Sequence, residues 1–315
     1  MRYLEVSKTP WRLPLIGQGT WGFGENRGRH HQEVEALREG FSHGMTLVDT
    51  AELYGAGESE RVVGDAIADC RDSIFLITKI WPNHAGPLAM RRALEASLSR
   101  LRTDHVDACL LHWPTKSLPV SRLAEGLRAL KESGLTREVG VSNFPRDMSR
   151  DAITALGLAE GSGGKGTFFH ELPYSLEDRR VEESLLPQVQ ALGGVLLAYS
   201  PLGHGRLLRR AGPSIDVLRA VAARHGITPA QAALSFLAAE PGVVVLAKAA
   251  SPRHVRENAE SADIVLDPED LALLRDAFPR GPKDIGFSLP PRGAFFSLVY
   301  GGMHVMQSLH GRYRA

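Results

Sequence analysis

Asp49, Tyr54, Lys79 and His112 are of types that could together move a proton. Asp49 and Tyr54 bracket the stretch Asp49-Thr50-Ala51-Glu52-Leu53-Tyr54-Gly55, which follows the apolar run Met45–Val48. Lys79 follows the run Ile74–Ile77, and His112 follows His105–Leu111. A phenol ionises near pH ~10 in water, too high for ready proton donation. A neighbouring ammonium favours the phenolate, so Lys79 beside Tyr54 would lower that value. Asp49 can keep Lys79 protonated and in place, and His112 can hydrogen-bond a substrate oxygen. The product would be a general acid for a developing alkoxide. Singly, each residue has an ordinary explanation: a turn aspartate, a packing tyrosine, a solvated lysine, a satisfied core histidine. A proton donor with no nucleophile beside it needs another reactant, and a bound hydride donor would fit.

These residues can meet only if the strands before them are parallel and end on one rim. Eight short apolar runs alternate with helical stripes over roughly 260 residues, the size of a (β/α)8 TIM barrel of the α/β class. The runs are Leu13–Ile16, Met45–Val48, Ile74–Ile77, His105–Leu111, Glu138–Val141, Thr167–Phe169, Val195–Ala198 and Val243–Leu246. Stripes such as Leu94, Leu98 and Leu101, or Leu123, Leu127 and Leu130, mark the helices between them. Alternation also fits an open doubly wound sheet. Residues 3 to 13 read as a short N-terminal hairpin, residues 1–280 as one barrel domain, and residues 281–315 as an irregular C-terminal tail. Gly17-Gln18-Gly19-Thr20-Trp21-Gly22 matches a dinucleotide-binding fingerprint by letter. No helical stripe follows it, so the match carries no such meaning.

With net charge +1, no global field favours nucleic acid or an acidic membrane. The N-terminus lacks the pattern of a secretory signal, and no apolar run reaches the ~20 residues of a spanning helix. Cys70 and Cys109 form neither a disulfide framework nor a metal motif, which suits a reducing cytoplasm and no metal.

The residues beyond each run complete the picture. They are Gly19, Thr20 and Trp21; Asp49 and Tyr54; Thr78 and Lys79; His112 and Trp113; Ser142 and Asn143; His170 and Glu171; Tyr199 and Ser200; and Lys248. The segments DTAELYG, ITKI, LLHWP, GVSNF, AYSPLGHG and KAASPRHVREN, in this order, resemble those of the aldo-keto reductases. The likeness covers roughly residues 10 to 280. It implies a (β/α)8 barrel that reduces carbonyl compounds to alcohols with NADPH or NADH. It implies Asp49, Tyr54, Lys79 and His112 as the catalytic tetrad, with Tyr54 the proton donor. Ser142, Asn143 and Glu171 would meet the nicotinamide carboxamide, and Tyr199 would stack on its ring. Ser200, Pro201, Leu202, Gly203 and Gly205 would run along the pyrophosphate. Lys248, His254, Glu257 and Asn258 would meet the adenosine end, Lys248 at a 2′-phosphate. Gly19, Thr20 and Trp21 would lie beside the cofactor, and Trp21, Tyr54, His112 and Trp113 around the substrate.

The chain departs from the family pattern at two positions. Glutamine is usual where Glu171 stands; an ionised glutamate accepts hydrogen bonds but donates none. Arginine is common in NADPH-dependent members where His254 stands, with Arg253 adjacent. In the tail, Phe295, Phe296 and Tyr300 are expected to cover the catalytic rim or a neighbouring subunit. Two rival functions keep the barrel: a Schiff-base aldolase using Lys79, and a slow-turnover nicotinamide-sensing regulatory subunit. The physiological substrate and the oligomeric state are not written in the sequence.

Overall fold

A computed structural model describes residues 1–7, 9–115, 117–159 and 166–280. The expectation for Phe295, Phe296 and Tyr300 therefore lies outside the described residues. Strands β1 (Tyr3–Glu5) and β2 (Arg12–Pro14) form an antiparallel hairpin. After them come β3 (Ile16–Gly19), β4 (Leu47–Asp49), β5 (Phe75–Ile80) and β6 (Val106–Leu111). Then follow β7 (Thr136–Ser142), β8 (Phe168–Pro173), β9 (Val195–Tyr199) and β10 (Val243–Ala247). Strands β3 to β10 close into a parallel barrel, with β10 paired to both β9 and β3. The alternative of an open sheet is thereby excluded.

Helices fill the crossovers: α1 (His30–Ser42), α2 (Glu58–Ile67), α3 (Pro87–Leu101), α4 (Val120–Glu132), α5 (Arg146–Ala155) and α6 (Leu185–Ala191). The rest are α7 (Arg206–Arg209), α8 (Pro213–Arg224), α9 (Pro229–Ala238), α10 (Pro252–Glu260) and α11 (Pro268–Ala277). Five of these open on a proline, where the missing N–H costs nothing. Thr228 and Gln231 cap α9 reciprocally, each side chain bonding the other's backbone N–H.

The barrel interior is a packed layer. Leu47, Ile77, Leu110, Phe169, Leu197 and Leu246 belong to one buried cluster, which Val6 and Leu13 of the hairpin region join. Trp11 meets Phe75 edge-on at 5.2 Å between ring centroids, so the hairpin closes the bottom of the barrel. Strands β7 and β8 approach tightly at Gly140, where a Cβ would lie 2.1 Å from the Phe169 carbonyl oxygen.

The strand limits correct the sequence reading. The run Leu13–Ile16 divides between hairpin strand β2 and barrel strand β3, so Gly19 ends the first barrel strand rather than lying beyond it. Strand β5 runs on through Thr78 and Lys79, and β8 through His170 and Glu171. An apolar run was expected to end where polar residues began. In a barrel the top of the interior can be polar while the backbone ladder continues.

Candidate active site

The site is the next layer above the apolar one. Strand side chains alternate between the interior and the helices. Two residues beyond Leu47, Ile77, Leu110, Phe169, Leu197 and Leu246 stand Asp49, Lys79, His112, Glu171, Tyr199 and Lys248. One parity thus carries six of the eight barrel strands from core to chemistry.

Lys79 is the centre of this layer and is fully buried. Its Nζ donates to Asp49 Oδ1 and Oδ2 at 2.6 and 2.7 Å, to the Thr50 carbonyl at 3.1 Å and to the Tyr54 hydroxyl at 3.2 Å. Glu171 Oε2 lies 3.2 Å from the same nitrogen but without hydrogen-bond geometry. His112 stands edge-on to Tyr54 at 5.6 Å between centroids, and to Trp81 at 5.4 Å. The tetrad expected from the sequence is therefore one contiguous cluster.

Burial sets the protonation states. It disfavours the Lys79 ammonium, but Asp49 and Glu171 outweigh it and hold Lys79 above its ordinary range. Burial raises Asp49 against the pull of Lys79. Glu171 is pushed up to about 8, first by burial and then by the Asp49 charge. Burial and the Lys79 charge take His112 well below its usual value, so its imidazole is neutral. Tyr54 corrects the sequence expectation. Its pKa is raised, because burial exceeds the opposing Lys79 charge and the Asp49 and Glu171 carboxyls act in the same direction as burial. Lys79 offsets part of the penalty rather than making the phenol acidic.

The other expected residues ring this centre. Ser142 and Glu171 are register partners on β7 and β8. Asn143 is buried in a left-handed conformation, φ 62°; its Nδ2 donates to the His112 carbonyl and to Ser142 Oγ. The Tyr199 hydroxyl donates to Asn143 Oδ1 at 2.8 Å. Ser200 is also left-handed, φ 52°, and starts the turn through Pro201, Leu202, Gly203 and Gly205. Trp21 is 58% exposed and packs on His204 of that turn, 5.0 Å between centroids. The Thr20 hydroxyl donates to the Asp49 carbonyl and accepts from Ser59, so it braces the loop behind Gly19. Trp113 is half-buried beside His112.

Lys248 is exposed, its Nζ 5.3 Å from the centroid of the Phe23 ring. His254 is exposed in the first turn of α10, where Ser251 caps the helix. Glu257 accepts from Arg253, and Asn258 is buried. A hollow of about 260 Å3, with Leu207, Leu218, Thr228, Arg253 and Glu257 among its walls, adjoins this helix.

Trp81 and His204 were not anticipated. Trp81 continues the interior parity of Ile77 and Lys79, a signal available in the sequence. His204 sits between two glycines and offers none.

A model of the aldo/keto reductase family matches residues 15–278. The chain belongs to this family. Among its relatives is methylglyoxal reductase YeaE of Escherichia coli, 37% identical over 271 residues, covering 86% of this chain and 93% of the relative. An aldo/keto reductase from Klebsiella pneumoniae, solved in complex with NADP and acetate, superposes with a TM-score of 0.80. It is 38% identical, and the match covers 90% of this chain and 98% of that one. A thermostable aldo-keto reductase, Tm1743, solved with epalrestat, also gives 0.80 at 36% identity, over 88% and 100% of the two chains. The family match contains all eight barrel strands and therefore every element of the site. Among the described residues, no helix of this family member is long and apolar enough to cross a membrane.

Proposed function

We propose that the chain reduces aldehydes or ketones to alcohols with NADPH as hydride donor and Tyr54 as proton donor. The observation that carries this is the buried Lys79 ammonium bonded to both Asp49 and the Tyr54 hydroxyl, with neutral His112 against the phenol ring. Lys79 and His112 fix the phenol at the mouth of the site. As negative charge develops on a carbonyl oxygen, Tyr54 gives up its proton and Lys79 stabilises the resulting phenolate. His112, neutral, can donate a hydrogen bond to the same oxygen.

The residues present fit a nicotinamide dinucleotide. Glu171 Oε2 is a buried acceptor without a hydrogen-bond donor, which suits a carboxamide NH2. Ser142 is the register partner of Glu171 on β7, and Asn143 follows Ser142. Tyr199 offers a ring at the rim, the Ser200–Gly205 turn a backbone track, and exposed Lys248 a cation for a 2′-phosphate. The hollow beside Arg253 and Glu257 is apolar enough for an adenine. When bound, the reduced cofactor supplies the hydride that the protein's own side chains cannot. Trp21, Tyr54, His112 and Trp113, with Trp81, form the substrate surround. The likeness to a methylglyoxal reductase favours small reactive aldehydes as substrates.

Lys79 held protonated chiefly by the Asp49 carboxylate is a poor nucleophile, which argues against the Schiff-base aldolase. The free thiols Cys70 and Cys109 suit the cytoplasm. A barrel of residues 1–280 with an appended segment 281–315 accords with a family match that ends at residue 278. The test is NADPH consumption, followed by absorbance, across a panel containing methylglyoxal and larger aldehydes. Turnover of at least one carbonyl is expected. No consumption with any of them, together with no NADPH binding, would overturn the reading.

A further inference from the structure

Two carboxyl groups share one ammonium inside the barrel. Asp49, Lys79 and Glu171 are 3%, 0% and 2% exposed, so with both carboxylates ionised the cluster would carry an uncompensated negative charge out of water. The two carboxyls are not equivalent. Asp49 takes Lys79 through both oxygens, and the Thr50 carbonyl and Tyr54 hydroxyl occupy the remaining positions around Nζ. No N–H of Lys79 is left for Glu171, whose Oε2 has proximity to Nζ without a hydrogen bond, while its carboxyl stands within hydrogen-bond reach of the Asp49 carboxyl. A buried carboxyl with an oxygen that receives no hydrogen bond gains little from ionising. Its pKa of about 8 follows from burial first and Asp49 second, against Lys79.

The remaining surroundings do not change the charge. Tyr54 and His112 stand beyond Lys79 and are neutral. From β7 and β9 come Ser142, Asn143 and Tyr199, a hydroxyl, an amide and a phenol. His170, next to Glu171 on β8, turns to the helix side, where Ser149 of α5 meets it. Among the described residues, what is missing around Glu171 is a second cation.

We propose that Glu171 is a proton-linked discriminator of the cofactor's redox state: it keeps its proton beside a neutral reduced nicotinamide and releases it to solvent when the cationic oxidised ring binds. The proposal rests on the cofactor reading above, which puts the nicotinamide end at Ser142, Asn143 and Glu171. A glutamine in this place could not titrate, so its cofactor preference would be insensitive to pH through this position. Here alkaline conditions favour the oxidised form and acidic conditions the reduced form. The charges balance: one proton leaves Glu171 for each oxidised ring that enters.

The sign follows from linkage. Below about pH 8 the free site is protonated at Glu171. NADP+ then binds with loss of a proton, so its affinity rises by up to about tenfold per pH unit as pH approaches that value, and levels above it. NADPH loses no proton there. Ionisation of the phosphates is common to both nucleotides and cancels in the ratio of their affinities.

The experiment measures dissociation constants of NADP+ and NADPH between pH 6 and pH 9.5 for the wild type and Glu171→Gln. Calorimetry of NADP+ binding in buffers of different ionisation enthalpy counts the protons released by the wild type alone. The proposal expects a wild-type NADP+/NADPH affinity ratio that climbs with pH and then levels. It expects release approaching one proton per NADP+ at pH 7, and a flat ratio with little release in Glu171→Gln. A flat wild-type ratio, a wild type that releases no proton, or a variant with the wild-type slope would overturn it. If neither nucleotide binds, the cofactor reading falls and this proposal with it; binding without pH dependence removes only the proposal.

Discussion

The Nζ of Lys79 lies 3.2 Å from the Tyr54 hydroxyl, yet the phenol is harder to ionise than one in water. The pair is arranged for the moment of reaction rather than for the resting state. Lys79 is already neutralised by Asp49, so little of its charge is free to pull a proton from Tyr54 beforehand. A developing alkoxide supplies the missing driving force.

Tyr54→Phe removes that proton and little else. The variant should fold, bind NADPH with near wild-type affinity and lose about 10²- to 10⁴-fold in kcat. Steady-state kinetics with a single aldehyde decides it. Half the wild-type kcat would exclude Tyr54 as the donor.

Lys248 stands in water over the Phe23 ring and is free to meet a phosphate. A charge-assisted hydrogen bond is worth about 1.5–3 kcal/mol, so Lys248→Ala should weaken NADPH binding roughly ten- to a hundredfold. NADH binding should change little. Fluorescence titration with both nucleotides gives the comparison, and an equal loss for both would move Lys248 away from the 2′-phosphate.

His170 is buried, and burial takes its pKa down to about 3. The unfolded chain binds a proton near pH 6.5 where the folded chain does not, so the neutral histidine's contribution is complete above that pH and is lost as pH falls. Between pH 7 and pH 5 the loss should be about 2 kcal/mol from this residue. Urea unfolding at the two pH values should show it for the wild type and a smaller drop for His170→Gln. An identical drop in both would show that His170 does not titrate across the transition.

Gly140→Ala would drive a Cβ to 2.1 Å from the Phe169 carbonyl oxygen and 2.8 Å from Leu110 Cδ2. Backbone on the facing strand cannot step aside, so the cost should reach or exceed the ~1–3 kcal/mol of ordinary overpacking. At Gly86 a Cβ meets nothing within 4 Å and φ is −73°, so Gly86→Ala is the near-neutral control. Thermal unfolding of both variants checks the contrast; a Gly140→Ala protein melting with the wild type would contradict the close approach.

Much of this architecture is legible in the sequence. The stripes Leu94, Leu98, Leu101 and Leu123, Leu127, Leu130 fall in α3 and α4, because an amphipathic period survives in one dimension. Strand ends were harder to read. The run Ile74–Ile77 stopped short of Ile80, and Thr167–Phe169 short of Pro173, since the last inward residues there are polar and look like loop. The contact between Glu171 and Lys79 joins β8 to β5, strands that are not neighbours in the sheet. No local pattern encodes a pairing across the barrel interior. The direction of the Tyr54 shift was missed because it depends on how deeply the ring is buried, which spacing does not tell.

The step of two residues from apolar layer to polar layer has a consequence for how such a chain can vary. Inserting one residue between Ile77 and Lys79 would swing the ammonium out among the helices, and the same slip in β8 would expel Glu171. An insertion in a loop displaces neither. Length change is thus confined to the connections, while the strands behave like a reading frame: tolerant of letters in places, intolerant of a shift by one.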